Sequence, residues 1–288
     1  MNSNENKHSY TEEEHSTWRH FYNAAFEVWN RHEKFIYQYH LDSMKVLEKY
    51  ADHIPSIAEI NELLNPIGWV AIYVDGLAPS WEIARMLDRC VMPISRQIRS
   101  PQEIFFAHGP DLIHDIFGHL PFILNPECRK LLKTWSSPAS YVDIRDIDYI
   151  SYYLNRLLVK SRNKMEDKLI AHLKQAEASI KEMIAFGQSP NLIVSNFYFW
   201  IFEFGIIEHH NQLKIVGSGI LSSLDEIEKI ASGSIAVKKL SLDSILSHYN
   251  ISSLQDGYLV AAEIQNFSDL LEHMVDYINL IQDKHYLI

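Results

Sequence analysis

The chain has 288 residues, of which 47% are hydrophobic and 22% charged. That balance excludes an intrinsically disordered polypeptide and allows one large core or two small ones. The formal net charge of −11 excludes binding driven by nucleic-acid phosphates, which needs a cationic surface.

The first fifteen residues, MNSNENKHSYTEEEH, are polar and carry no apolar stretch of the kind a secretory signal requires. Residues 1–10 are expected to be a disordered tail. Apolar positions then recur at helical spacing through Trp18, Phe21, Ala25, Val28 and Trp29, and again through Phe35, Tyr39, Met44 and Leu47. They predict two helices separated near residues 30–34. Ser56 is placed to cap a short helix, IAEINELL, that ends before Asn65-Pro66. The run WVAIYVD at 69–75, followed by Gly76, is the best strand candidate, and Pro79-Ser80 opens another helix through Leu87.

Residues 141–186 read as a long helical region, closed by Gly187-Gln188-Ser189-Pro190, with the basic run at 160–168 as a solvated face. A second helix is predicted to carry residues 197–207, and IVGSGILSS (215–223) reads as a short strand and glycine turn leading into a helix. The whole is a mainly α (α+β) domain with a small β element. The longest apolar stretches are too short, and too interrupted by charge, to span a membrane. Cys90 and Cys128 are the only cysteines, so no disulfide framework is expected and a reducing, cytoplasmic compartment fits.

The segment HGPDLIHDIFGHLP (108–121) carries the chemistry. His114 and His119 are five residues apart, a step of about 140° on a regular α-helix, so their imidazoles would not share a face. Gly118 and Pro121 offer a remedy: glycine relaxes the last turn, proline stops its continuation, and His119 swings back toward His114. Glu203 lies between Phe202 and Phe204 in FYFWIFEFGII. A carboxylate in so apolar a context needs a neutralising partner, either a metal ion or an arginine. Two imidazoles and one carboxylate suit non-haem iron(II) with open coordination positions. Zinc hydrolases use similar ligands, but the HExxH spacing is absent.

The string HDIFGHLP (114–121), preceded by Pro110-Asp111, resembles the iron motif of the biopterin-dependent aromatic amino acid hydroxylases, particularly the bacterial phenylalanine hydroxylases. TEEEHSTWRHFY (11–22), GLAP (76–79), Pro93 through IRSP (98–101), EFG (203–205), GSGILSS (217–223) and YLV (258–260) follow in family order. The resemblance implies a hydroxylase catalytic domain over 11–288 with a helical insertion at about 141–186. It implies Fe(II) held by His114, His119 and Glu203, and a tetrahydropterin cofactor. Arg99 would bind the carboxylate of an amino acid, held in place by Asp111. Gly219, Ser222 and Ser223 would contact substrate, and the serines would orient the histidine ligand, although serines after a glycine turn are also common helix caps. Asp115 would meet the pterin, Tyr198 would lie beside iron and cofactor, and Phe199 and Trp200 would wall the substrate ring.

Four departures from the family pattern stand out. The pterin-stacking phenylalanine falls at Ile83, leaving Trp81 as the nearby aromatic replacement. Gly109 stands where relatives carry glutamate. Phe199 occupies a tryptophan position, with Trp200 displaced by one. The spacing from His119 to Glu203 is roughly double the family's, the 141–186 region accounting for the excess. The activity implied is hydroxylation of a free aromatic amino acid by O2, with phenylalanine to tyrosine preferred. Tryptophan hydroxylation or attack at the meta position are alternatives, and a non-catalytic metal-binding scaffold is the alternative of another class. The length predicts a monomer or simple homodimer.

Overall fold

The structure, a computed structural model, describes residues 9–76, 78–107, 109–161, 166–186, 189–250 and 253–285. Residues 1–8 of the expected tail, Leu77 of the GLAP motif, part of the 160–168 run and Gly187-Gln188 lie outside them.

Thr11 and Glu14 form a reciprocal capping box that starts α1 (Glu12–Arg31). Its apolar stripe buries Trp18, Phe21 and Trp29 against Phe117. Two indole N–H groups fix the helix: Trp18 donates to Tyr50 O at 2.7 Å and Trp29 to Leu221 O at 3.2 Å. After α2 (Gln38–Met44), Ser56 and Glu59 form a second capping box and start α3 (Ile57–Leu64), as expected. The strand read at 69–75 is β1 (Val70–Val74). It pairs in parallel with β2 (Val91–Ser95) across α4 (Ser80–Asp88), a compact βαβ unit.

A π-helical turn at His114–His119 runs into α5 (Leu120–Leu124) and α6 (Pro126–Ala139). The 141–186 region resolves into two packed helices, α7 (Asp146–Ser161) and α8 (Asp167–Phe186). Then α9 (Pro190–Tyr198) passes into a second π-helical turn, Phe199–Glu203. The helix expected over 197–207 therefore stops at Glu203. Ile206 and Ile207 instead begin β3 (Ile206–His209), which turns through His210-Asn211 into β4 (Gln212–Ile215). Both turn residues have positive φ (51° and 57°), matching the right-handed twist of the hairpin.

The rest of the chain forms α10 (Ser218–Leu221), α11 (Leu224–Ala231), β5 (Ala236–Lys239), α12 (Leu242–Ile245), β6 (Gly257–Ala261) and α13 (Gln265–His285). The second sheet has the order β4-β3-β6-β5, with β6 parallel to both neighbours. The architecture is the expected mainly helical one, with two small sheets. No helix among the described residues is long and apolar enough to cross a membrane.

Glu226, buried in the first turn of α11, ties that helix to the sheet. Its Oε1 accepts the Tyr258 hydroxyl of β6 at 2.7 Å. Burial pushes this carboxyl up to about 7, against the smaller opposing effect of the Tyr258 hydrogen bond. A carboxyl raised in the folded state contributes stability below its unfolded value, and that contribution is lost as pH rises through the folded one. Wild-type stability is therefore expected to fall by about 2 kcal/mol relative to Glu226→Gln between pH 5 and pH 8. Urea unfolding of both proteins across that range measures it; parallel profiles would refute it.

Candidate metal centre

The first site element is the π-helical turn. The N–H of Leu120 bonds to the carbonyl of Asp115, five residues back. In a π-helix, with about 4.4 residues per turn, a five-residue step rotates by only about 50° past a full turn. His114 and His119 consequently share a face, with ring Nε2 atoms 2.9 Å apart. This corrects the expectation of a broken helix. The helix widens rather than ends, and it continues into α5 with Pro121 in the first turn, where a missing N–H is tolerated. Gly118 serves close packing: a Cβ there would lie 2.3 Å from the Ser218 carbonyl oxygen.

Glu203 ends the second π-helical turn and is buried. Its carboxylate lies 3.1 Å from His119 Nε2 and 3.5 Å from His114 Nε2. Adjacent donors on an octahedral ion with bonds of about 2.1 Å are separated by about 3.0 Å. The Nε2–Nε2 separation and the distance from His119 to Glu203 Oε1 match that value, while Oε2 faces His114 at 3.5 Å, so the two imidazoles and the carboxylate are close enough to share one ion. Both histidine side chains remain 17% exposed, which leaves the opposite face reachable. Asp115 also places a carboxylate oxygen within 4.8 Å of both imidazoles. That carboxylate is anchored on the Ser95 N–H at 2.6 Å, whereas Glu203 presents Oε1 directly to His119 at 3.1 Å. Burial pushes the Asp115 carboxyl up to about 7.

The electrostatics support this grouping. Burial alone would raise Glu203, but His119 and His114 outweigh it and hold the carboxyl down at about 2. Burial holds His114 down at about 4. For His119 burial acts in the same direction, yet the Glu203 carboxylate overrides it and raises the imidazole. Tyr198 hydrogen-bonds to Glu203, and its phenol is raised by burial and by that carboxylate.

A set of surrounding contacts orients the donors. Ser222 Oγ lies 3.2 Å from Ser218 O and 3.1 Å from Gly219 O, so its single hydrogen is directed to a backbone carbonyl. It must then accept from His114 Nδ1–H at 2.9 Å, which leaves the Nε2 lone pair facing Glu203 and His119. Asp111 caps the first π-helical turn by accepting the His114 N–H at 2.9 Å. The same carboxylate grips Arg99 through Nη2 (2.9 Å), Nε (3.0 Å) and the backbone N–H (2.7 Å). Burial opposes ionisation of Asp111, but the Arg99 guanidinium keeps the carboxyl below its ordinary value. Arg99 Nη1 reaches Ile104 O and Ser222 O, both at 3.4 Å. One Nη2–H is left without an acceptor among the described residues. Ser223 occupies the N-cap position of α11, yet its hydroxyl caps nothing and is buried without a partner there.

Gly217 and Gly219 let α10 approach the second π-helical turn. A Cβ on Gly217 would meet Glu203 O at 2.3 Å, and one on Gly219 would meet Glu203 Oε2 at 2.8 Å. The aromatic expectations divide. Phe199 stacks on Tyr249 at 4.2 Å, a partner with no local sequence signal. Trp200 is buried and donates to Ser247 O at 3.1 Å. Trp81 does not substitute for the missing pterin platform, because its buried ring packs edge-on against Tyr149 and Tyr152 of α7. Ile83 is half-buried against the core.

Two substitutions test how the donors are oriented. Ser222→Ala frees the His114 ring, and Gly219→Ala pushes the Glu203 carboxylate aside. Each is expected to weaken Fe(II) binding by about 10- to 100-fold while leaving the circular dichroism spectrum unchanged. Unchanged affinity in calorimetric titration of both variants would remove those roles.

Comparison with known proteins identifies the family. The sequence model of the biopterin-dependent aromatic amino acid hydroxylase family matches residues 4–153 and 165–287. The phenylalanine-4-hydroxylase of Ralstonia nicotianae is 26% identical over 271 residues, covering 92% of this chain and 70% of its own. That of Pseudomonas aeruginosa is 25% identical, covering 91% and 83%. Among solved structures, Chromobacterium violaceum phenylalanine hydroxylase with bound Fe(III) superposes with a TM-score of 0.70 at 22% identity, over 94% of this chain and 83% of that one. The apo phenylalanine hydroxylase of Colwellia psychrerythraea reaches 0.73 at 18% identity, over 99% and 92%. With the fold shared and the family model matched over nearly the whole sequence, this chain belongs to the biopterin-dependent aromatic amino acid hydroxylases.

Proposed function

We propose that this enzyme hydroxylates the ring of free L-phenylalanine to give tyrosine, with Fe(II) held by His114, His119 and Glu203. The observation that carries the reading is the convergence of two imidazole Nε2 atoms, 2.9 Å apart, on the buried Glu203 carboxylate, whose Oε1 lies 3.1 Å from His119 and whose Oε2 lies 3.5 Å from His114. The bound iron and tetrahydropterin supply oxygen activation, the pterin giving two electrons so that one oxygen atom enters the ring. The residues of the chain do the rest. Arg99, fixed by Asp111, offers its remaining Nη2–H to the substrate carboxylate, and the Ser223 hydroxyl offers a second polar contact. Phe199 and Tyr249 form the wall for the aromatic ring, with Trp200 packed behind them. Tyr198 steadies the Glu203 carboxylate, and Asp115 faces the pterin. The apolar shell of Phe117, Phe122 and Phe202 excludes water from the reacting centre.

The named relatives, phenylalanine-4-hydroxylases from several bacteria, support phenylalanine as substrate. A second reading, tryptophan, rests on Phe199: a smaller ring where the family carries tryptophan leaves room for an indole. Attack at the meta position of phenylalanine is the third outcome that product analysis separates.

Purified protein loaded with Fe(II) and given tetrahydropterin and oxygen is expected to convert phenylalanine to tyrosine faster than it hydroxylates tryptophan. Chromatography of the products with position assigned by NMR decides the substrate, and failure to hydroxylate phenylalanine, tryptophan or tyrosine would overturn the assignment. His114→Ala and Glu203→Ala should lose iron and turnover together, by at least about 1,000-fold in turnover. Full turnover in either would refute the ligand set.

A further inference from the structure

The helices α7 and α8 turn apolar side chains toward solvent. On α7, Tyr149, Ile150, Tyr153 and Leu157 are 41%, 52%, 61% and 42% exposed. Their spacing places all four within an arc of about 100° on the helix surface. On α8, Leu169 and Met183 are 46% and 55% exposed, with exposed Ala176 midway at seven-residue steps. Ordinary solvent-facing helices carry charge on such faces. The root of the pair is firmly seated. The Asp148 carboxylate accepts the Ser189 hydroxyl at 2.8 Å, and Trp81 packs edge-on against Tyr149 and Tyr152.

We propose that the α7–α8 pair is the interface through which two copies of this chain associate about a two-fold axis, the four helices forming a bundle. Two observations select a second copy as the occupant. The first is area. The six large exposed side chains present roughly 600 Å² of surface, whereas a standard interface buries about 800 Å² per partner with somewhat over half of it apolar. The second is charge. Residues 146–186 hold six carboxylates against seven lysines and arginines, on a chain whose net charge is −11. Two copies meeting here escape the like-charge repulsion that the rest of the surface imposes. Stripes at heptad spacing on paired helices also suit side chains of an identical pair.

Light scattering after size exclusion, at protein concentrations from about 1 to 100 µM, tests the interface. Wild-type protein is expected at twice its 33.5 kDa mass. The double variant Tyr153→Glu, Leu157→Glu is expected at the monomer mass with unchanged circular dichroism and turnover, both residues being exposed and remote from the donor set in sequence and contacts. A wild-type monomer throughout that range overturns the proposal. So does a double variant that remains dimeric, because the contact would then lie on another face. Wild-type protein that stays monomeric but sediments with anionic phospholipid vesicles would assign the stripe to a lipid surface instead.

Discussion

A carboxylate buried at the end of a helix is the constraint around which this domain is organised. Glu203 is 6% exposed, and an isolated charge at that depth would be neutralised by proton uptake. Here it is held ionised by two imidazoles and a phenol, at the junction of two widened helical turns. Each π-helical turn solves the same geometric problem. It re-aims a side chain that a regular α-helix would point elsewhere, and it does so without ending the helix that carries it.

The backbone pays for this concentration of function through close approach. Gly118, Gly217 and Gly219 each occupy a point where a Cβ would press within 3 Å of a carbonyl or carboxylate oxygen. The segment GSG is therefore less a flexible turn than a contact surface, pressed between the two π-helical turns. Ser222, one turn further along, exploits that placement to orient His114. Asp111 links the same histidine helix to Arg99, so the donor set and the proposed amino acid clamp share one buried hydrogen-bonded unit. Coupling of this kind makes the geometry of one site sensitive to the packing of the other.

The helices α7 and α8, which lie in sequence between the two halves of the donor set, leave that unit intact. His119 and Glu203 are 84 positions apart in sequence, yet their side chains are 3.1 Å apart. Helices α7 and α8 leave and rejoin the domain near α4 and α9, where Asp148, Ser189 and Asn191 tie the two ends together. A long excursion from such a point costs little, since closing a longer loop adds only slowly to the entropy of folding. The helix pair also engages the Trp81 ring of α4, which packs edge-on against Tyr149 and Tyr152.

What the sequence by itself determined is local. The capping boxes at Thr11 and Ser56, the strand at 70–74, the helical periodicity of 141–186 and the buried acid at 203 follow from side-chain chemistry and spacing within a few residues. The order of family motifs pointed to the metal site for the same reason: each motif is a short string. Only the tertiary structure decided how those strings meet. The turn at His114–His119 is widened where α10 packs against Gly118. Tyr249 stacks on Phe199 from 50 positions away. The hairpin at His210-Asn211 uses positive φ at two residues, one of them Asn, which tolerates the left-handed region well, but the turn could not be placed until its two strands were paired. Ile206 and Ile207 could extend a helix by pattern, and become strand between β4 and β6, which pair with them on either side. Periodicity reports which side of an element is buried; it cannot report what that side is buried against.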